Sequence, residues 1–160
     1  MSQKFEDHLW IMDEALIEAD KAYREDEVPI GAVIVDANGS ILARAHNKKE
    51  KSFNPCGHAE LLAIMEAAKK INNWRLVDCS LYVTLEPCPM CMGAIVQSRI
   101  SNLYFGAYDP KGGAISLNYS MHIDKRLNHN FKVVGGIKHF ECSKILSNFF
   151  REKRSGYNNQ

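Results

Sequence analysis

Apolar residues recur at intervals of three and four from His8 to Arg24, at Leu9, Met12, Leu16, Ala19 and Tyr23, which predicts an amphipathic first helix. Beyond Val28-Pro29 the pattern changes. Ile30 to Val35 is a short β-branched run, Asp36-Ala37-Asn38-Gly39 has turn composition, and Ile41 to His46 is extended again, so a hairpin is expected. Asn47 to Asn54 is polar and rich in lysine. Pro55 and Gly57 then lead into a helical stretch, Ala59 to Ile71, whose apolar face would be Leu61, Leu62, Met65 and Ala68.

Leu81 to Leu85 reads as a buried strand and Cys88 to Ser98 as a helix, followed by strands at Leu103 to Ala107 and Phe131 to Val134. Leu117 to Leu127 is irregular. Phe140 to Lys153 closes the chain as a helix with Ile145, Leu146, Phe149 and Phe150 apolar. Short apolar strands alternating with helices predict an α/β layered domain with helices on both faces of a mixed sheet.

Composition narrows the class. The chain has 160 residues and 46% apolar content, enough for one buried core, here expected over residues 1–154 with a polar, frayed tail at 155–160. There is no apolar run long enough to span a membrane and no signal-peptide order at the start, so a soluble, intracellular protein is expected. A net charge of +1 gives no global basic field, which leaves any nucleic-acid contact to local patches. Five cysteines, two of them spaced for a metal, argue against a disulfide framework and for a reducing cytoplasm.

That metal-spaced pair is Cys88 and Cys91, in Leu85-Glu86-Pro87-Cys88-Pro89-Met90-Cys91, and the third ligand expected is His58, in Gly57-His58-Ala59-Glu60. Both groups open helices, where the partial positive charge of a helix start favours thiolate. Three protein ligands leave a tetrahedral zinc one free position, whereas structural zinc takes four. A closed structural site with a fourth thiol from Cys56, Cys79 or Cys142 is the alternative; Cys79 and Cys142 read better as core thiols, and Cys56 as a small packing residue.

His-x-Glu followed by Pro-Cys-x-x-Cys resembles the zinc-dependent base deaminases, for which, as a class, His and two Cys hold zinc and the Glu moves protons. On that resemblance Glu60 is the catalytic proton shuttle and zinc, one per subunit, makes water nucleophilic; no organic cofactor is implied. The implied fold is the three-layer α/β/α cytidine-deaminase-like one, with a central mixed five-stranded sheet.

Glu27-Val28-Pro29-Ile30-Gly31-Ala32-Val33, Asn73-Trp74-Arg75-Leu76, Ser98-Arg99-Ile100 and Phe105-Gly106-Ala107-Tyr108-Asp109-Pro110-Lys111 are similar to the bacterial tRNA-specific adenosine deaminase family. The resemblance implies a homodimer that converts adenosine to inosine at the wobble position of a tRNA, with the anticodon stem-loop as partner. It also implies that Asn47 contacts the target nucleoside and Asp109 the sugar region, and that Asn128 and His129 line the RNA channel. Phe149 and Arg151 on the last helix would then stack and meet phosphate, and Lys48, Lys49 and Lys51 form another phosphate patch. Two departures stand out: Cys56-Gly57 where the family has Thr-Ala, and Ile115-Ser116 where it has small residues. A free-base or nucleotide deaminase acting on guanine or cytosine is the competing reading, and a non-catalytic zinc-stabilised RNA-binding module a third.

Overall fold

The computed structural model describes residues 5–157. Its elements are α1 (Phe5–Arg24), β1 (Gly31–Val35), β2 (Ile41–His46), α2 (Ala59–Ile71), β3 (Ser80–Leu85), α3 (Pro89–Ser98), β4 (Asn102–Ala107), β5 (Lys132–Val134) and α4 (His139–Tyr157). The part of the expected tail at 155–157 continues α4, and residues 158–160 lie outside the described range. The stretch from Leu117 to Leu127 is a chain of turns.

The five strands form one sheet in the order β2-β1-β3-β4-β5. β1 pairs antiparallel with β2 and β3, while β3, β4 and β5 run parallel, so the sheet is mixed. The β1–β2 hairpin turns where Asp36 Oδ1 accepts the Asn38 and Ser40 amides at 2.8 and 2.9 Å and Gly39 takes φ of 82°.

α1 and α4 cover one face of the sheet: Ile11, Met12 and Ala15 of α1 and Cys142 of α4 pack on Val33, Val35, Tyr82 and Ala107. α2 and α3 cover the other, with Ala59, Ala63, Ala67, Met92, Ile95 and Val96 on Ala32, Ile34, Leu81, Val83 and Phe105. This is the expected three-layer α/β/α arrangement. The face of α2 differs from the expected one: Ala63 and Ala67 are buried and Met65 is 54% exposed. Small side chains let the helix lie close on the sheet, which turns the larger ones outward.

Because β1 opposes β3, the end of β2, the start of β1 and the carboxyl end of β3 share one edge of the sheet. α2 and α3 both begin there, so Asn47, His58 and Cys88 meet at that edge. Among the described residues no helix is long and apolar enough to cross a membrane.

Candidate active site

His58 precedes α2 in extended conformation (φ −82°, ψ 144°) and Cys88 does the same for α3 (φ −72°, ψ 168°). Neither caps its helix with its own side chain. Instead Asn47 Oδ1, reaching across from the end of β2, accepts the Ala59 amide at 2.9 Å. Pro89 occupies the first turn of α3, where an amide would lack a helical partner. Both imidazole and thiol are thereby left free to face each other.

Nδ1 of His58 lies 3.7 Å from Cys88 Sγ and 3.5 Å from Cys91 Sγ, and all three donor atoms lie within 4.8 Å of one another. A tetrahedral zinc with bonds of about 2.3 Å to sulfur and 2.0–2.1 Å to nitrogen separates an S and an N ligand by roughly 3.6 Å. The donors therefore fit that ion in both chemistry and spacing. Among the described residues this is the one group of three or more His, Cys, Asp or Glu placed to hold a metal. Cys56 is exposed rather than packed and is not in the group, and Cys79 and Cys142 are buried core thiols, as expected, also outside it. The ligand set thus stops at three, as an open site requires.

Hydrogen bonding from Cys91, aided by His58, pulls Cys88 down to about 4, while Cys91 is pushed upward by the Cys88 thiolate and by burial. Glu60, on the first turn of α2, is buried and adjoins Cys91; burial pushes its carboxyl up to about 7. A dication in the site would draw it back down by its own charge. His58 is raised by its hydrogen bond to Cys88, against the opposing effect of burial.

The other expected residues are distributed unevenly. Asn47 is buried beside the His58–Glu60 turn. Asp109 follows β4 at the same edge and lines a groove of about 640 Å³ with Val28, Tyr108, Lys111, Phe150 and Arg154. Phe149 points elsewhere: it is 6% exposed and meets Tyr23 edge-on, ring centroids 5.5 Å apart. It is packed between α4 and α1, so the exposed aromatic on this groove is Phe150. Arg151 is exposed but does not line the groove, whereas Arg154 does. Asn128 is exposed, and His129 Nε2 is 2.7 Å from the Ile100 carbonyl. Ile100 precedes β4, so these two residues sit at the far end of the sheet from Cys88.

Two buried acids frame the site without entering the spacing motifs. Glu27 accepts the amides of Lys49, Glu50 and Lys51 at 3.1, 3.1 and 2.7 Å. Glu86 accepts the Asp109 and Ser116 amides at 3.3 and 2.9 Å and the Ser116 hydroxyl at 2.6 Å. A methyl at Gly113 would stand 1.9 Å from Glu86 Oε2, so only glycine fits the loop against this carboxylate. The legible signal for both is an acid set inside an apolar, proline-bearing run, Glu27-Val28-Pro29-Ile30 and Leu85-Glu86-Pro87, since an acid buried there must find donors.

Known proteins bear on this geometry. The family model for the MafB19-like deaminases matches residues 6–154. A tRNA-specific adenosine deaminase of Bacillus subtilis (strain 168) is 52% identical over 143 residues, 89% of this chain and 88% of that protein. A solved structure from studies of A-to-I editing by tRNA:A34 deaminases at the wobble position of transfer RNA superposes with a TM-score of 0.77. It is 40% identical in sequence, and the match covers 84% of this chain and 97% of that one. A guanine deaminase structure from Bacillus subtilis is also similar, at 28% identity and a TM-score of 0.60, over 91% and 95% of the two chains.

Proposed function

This chain belongs to the MafB19-like deaminases and, among them, to the tRNA-specific adenosine deaminases, and from that membership we infer that it hydrolyses adenosine to inosine at the wobble position of a tRNA anticodon. The bond from C6 of the purine to its amino nitrogen breaks, a C–O bond forms from water, and ammonia leaves. The observation that carries the reading is a three-donor metal group, His58, Cys88 and Cys91, with a buried carboxylate beside it that is not one of the donors.

Zinc bound by His58 Nδ1 and the two sulfurs would supply the Lewis acidity that makes water nucleophilic near pH 7. Glu60 takes one proton from the attacking water to a ring nitrogen and then a second, from the hydroxyl that water has become on C6, to the departing amine. Burial beside the metal group, outside the donor set, leaves the Glu60 carboxylate free to accept and release a proton. Asn47, fixed through Oδ1 to the Ala59 amide, is suited to orient the nucleoside with its Nδ2 donor. Asp109, Phe150 and Arg154 offer the anticodon loop a polar edge, a stacking face and a cation in one groove.

The assembly proposed is a homodimer with one zinc per subunit. It is supported by the large apolar side chains left exposed on the α2 and α3 side, among them Met65, Trp74 and Met90. A reducing compartment, the cytoplasm, suits five free cysteines. Inosine formation should be assayed on an anticodon stem-loop whose first anticodon base is adenosine, with free adenosine and free guanine in parallel. Conversion of the stem-loop alone is expected; xanthine from guanine, with an inert stem-loop, would replace this function by the guanine deaminase reading that the 28% identical neighbour raises.

A further inference from the structure

We infer that Glu27 is a positioning residue for the RNA-binding loop: by gathering three successive amides it holds the segment between Asn47 and His58, and so controls substrate affinity. This rests on the tRNA deaminase reading above. The segment leaves β2 at Asn47 and ends at the metal-group histidine, so its shape sets what stands beside the reacting base. Its neck is closed by the Lys48 amide on the Gly57 carbonyl at 3.0 Å, and a methyl at Gly57 would stand 2.9 Å from the Lys48 carbonyl. Asn54 binds back to Lys49 at 3.0 Å and Gly57 to Asn54 at 2.9 Å. Those bonds shape the loop but do not attach it to the rest of the protein.

Backbone attachment comes from Glu27, 1% exposed and placed just after α1, whose two oxygens take the Lys49, Glu50 and Lys51 amides, while the Lys51 side chain adds a longer ion pair to Glu25 at 3.8 Å. Consecutive amides converging in this way form a concave anion site, the kind that elsewhere receives phosphate. Here the protein fills it with its own carboxylate, so the amides are not available to RNA. The exposed Lys48 and Lys49 ammonium groups, with Lys51 shared with Glu25 at 3.8 Å, are what remains to meet the phosphates, on a backbone fixed from beneath.

Glutamine is nearly isosteric but sets an NH₂ against one or more of these amides, while aspartate keeps both oxygens on a shorter stem. Hydrogen exchange at residues 49–51, kcat and KM on the stem-loop, and zinc content should be measured for Glu27→Gln, Glu27→Ala and Glu27→Asp. Expected for Glu27→Gln is exchange faster by about ten- to hundredfold at those amides, the loss of one charge-assisted hydrogen bond. KM should rise by a similar factor with kcat within about twofold of the parent and zinc retained, and Glu27→Asp should recover part of the KM. Unchanged protection of the three amides, a fall in kcat at constant KM, or lost zinc would each overturn the clamp. So would failure of all three variants to fold, which would assign Glu27 to the fold itself. Absence of stem-loop deamination by the parent protein would defeat the tRNA reading instead, and the exchange comparison would still judge the clamp.

Discussion

Glu60 lies on the first turn of α2, buried against Cys91 and beside the metal group without being one of its donors. Glu60→Gln keeps the shape and removes the proton exchange, so turnover should fall by about 10²–10⁴-fold, the usual worth of general acid–base catalysis. Bound zinc should stay at one per chain; an active variant, or an inactive one lacking zinc, would remove Glu60 from the shuttle role. The cysteines make a second case. Cys56 is exposed, Cys88 half-buried, and burial pushes Cys79 up to about 11 and Cys142 up to about 12. Brief treatment with iodoacetamide should therefore label Cys56 alone in the zinc-loaded protein and add Cys88 once a chelator removes the metal, while Cys79 and Cys142 stay unlabelled in both. Peptide mass spectra showing Cys88 equally modified before and after chelation would deny it a ligand's part. The ligands were readable because metal geometry imposes sequence spacing, Cys-x-x-Cys across one helical turn. Glu27 and Glu86 leave only the weaker signal of an acid inside an apolar, proline-bearing run, which does not say what they bind, because a carboxylate that collects backbone amides has no fixed offset from them.

Helices and strands followed from periodicity, since burial of one face leaves its own interval in the sequence. β2 and α2 appear at the residues expected, and the bounds of the other elements move by one to four positions. What periodicity leaves open is which face of a helix wins and how strands are ordered, because both depend on partners distant in the chain. On α4 it groups Phe149 with Phe150, yet the first is buried against Tyr23 and the second faces the Asp109 groove. The α1–β1 contact shows the same dependence. A methyl at Gly31 would fall 1.9 Å from the Ala15 carbonyl oxygen and 2.6 Å from the Ala19 amide, backbone atoms that no rotamer change can move. Gly31→Ala should thus lift α1 from the sheet at a cost of about 3 kcal/mol, the upper end of overpacking, lowering Tm by roughly 6–12 °C. A thermal melt within about 2 °C of the parent would show that the helix can shift without loss.

At the scale of the whole molecule the metal group and the Asn128–His129 pair lie at opposite ends of parallel strands. β4 alone, six residues at about 3.3 Å each, puts close to 20 Å between the Ile100 carbonyl that His129 meets and the edge where Cys88 sits. If both sets serve one anticodon loop, as the family resemblance implies, that separation favours the reading in which His129 acts on the RNA held by the other subunit of the proposed dimer. That arrangement has a distinctive genetic consequence. Glu60→Gln destroys the chemistry of its own subunit, whereas His129→Ala weakens RNA binding at its neighbour's. In a mixed dimer the subunit carrying His129→Ala keeps Glu60 and receives an intact His129 from its partner, so one of the two sites is whole. Two impaired preparations, dissociated and reassembled together, should consequently regain activity well above the mean of the two alone, approaching about half the parent rate per mixed dimer. Activity that stays at the mean would place His129 and Glu60 in the same subunit's service, and would require the crossover between β4 and β5 to reach the site by some route other than a second copy.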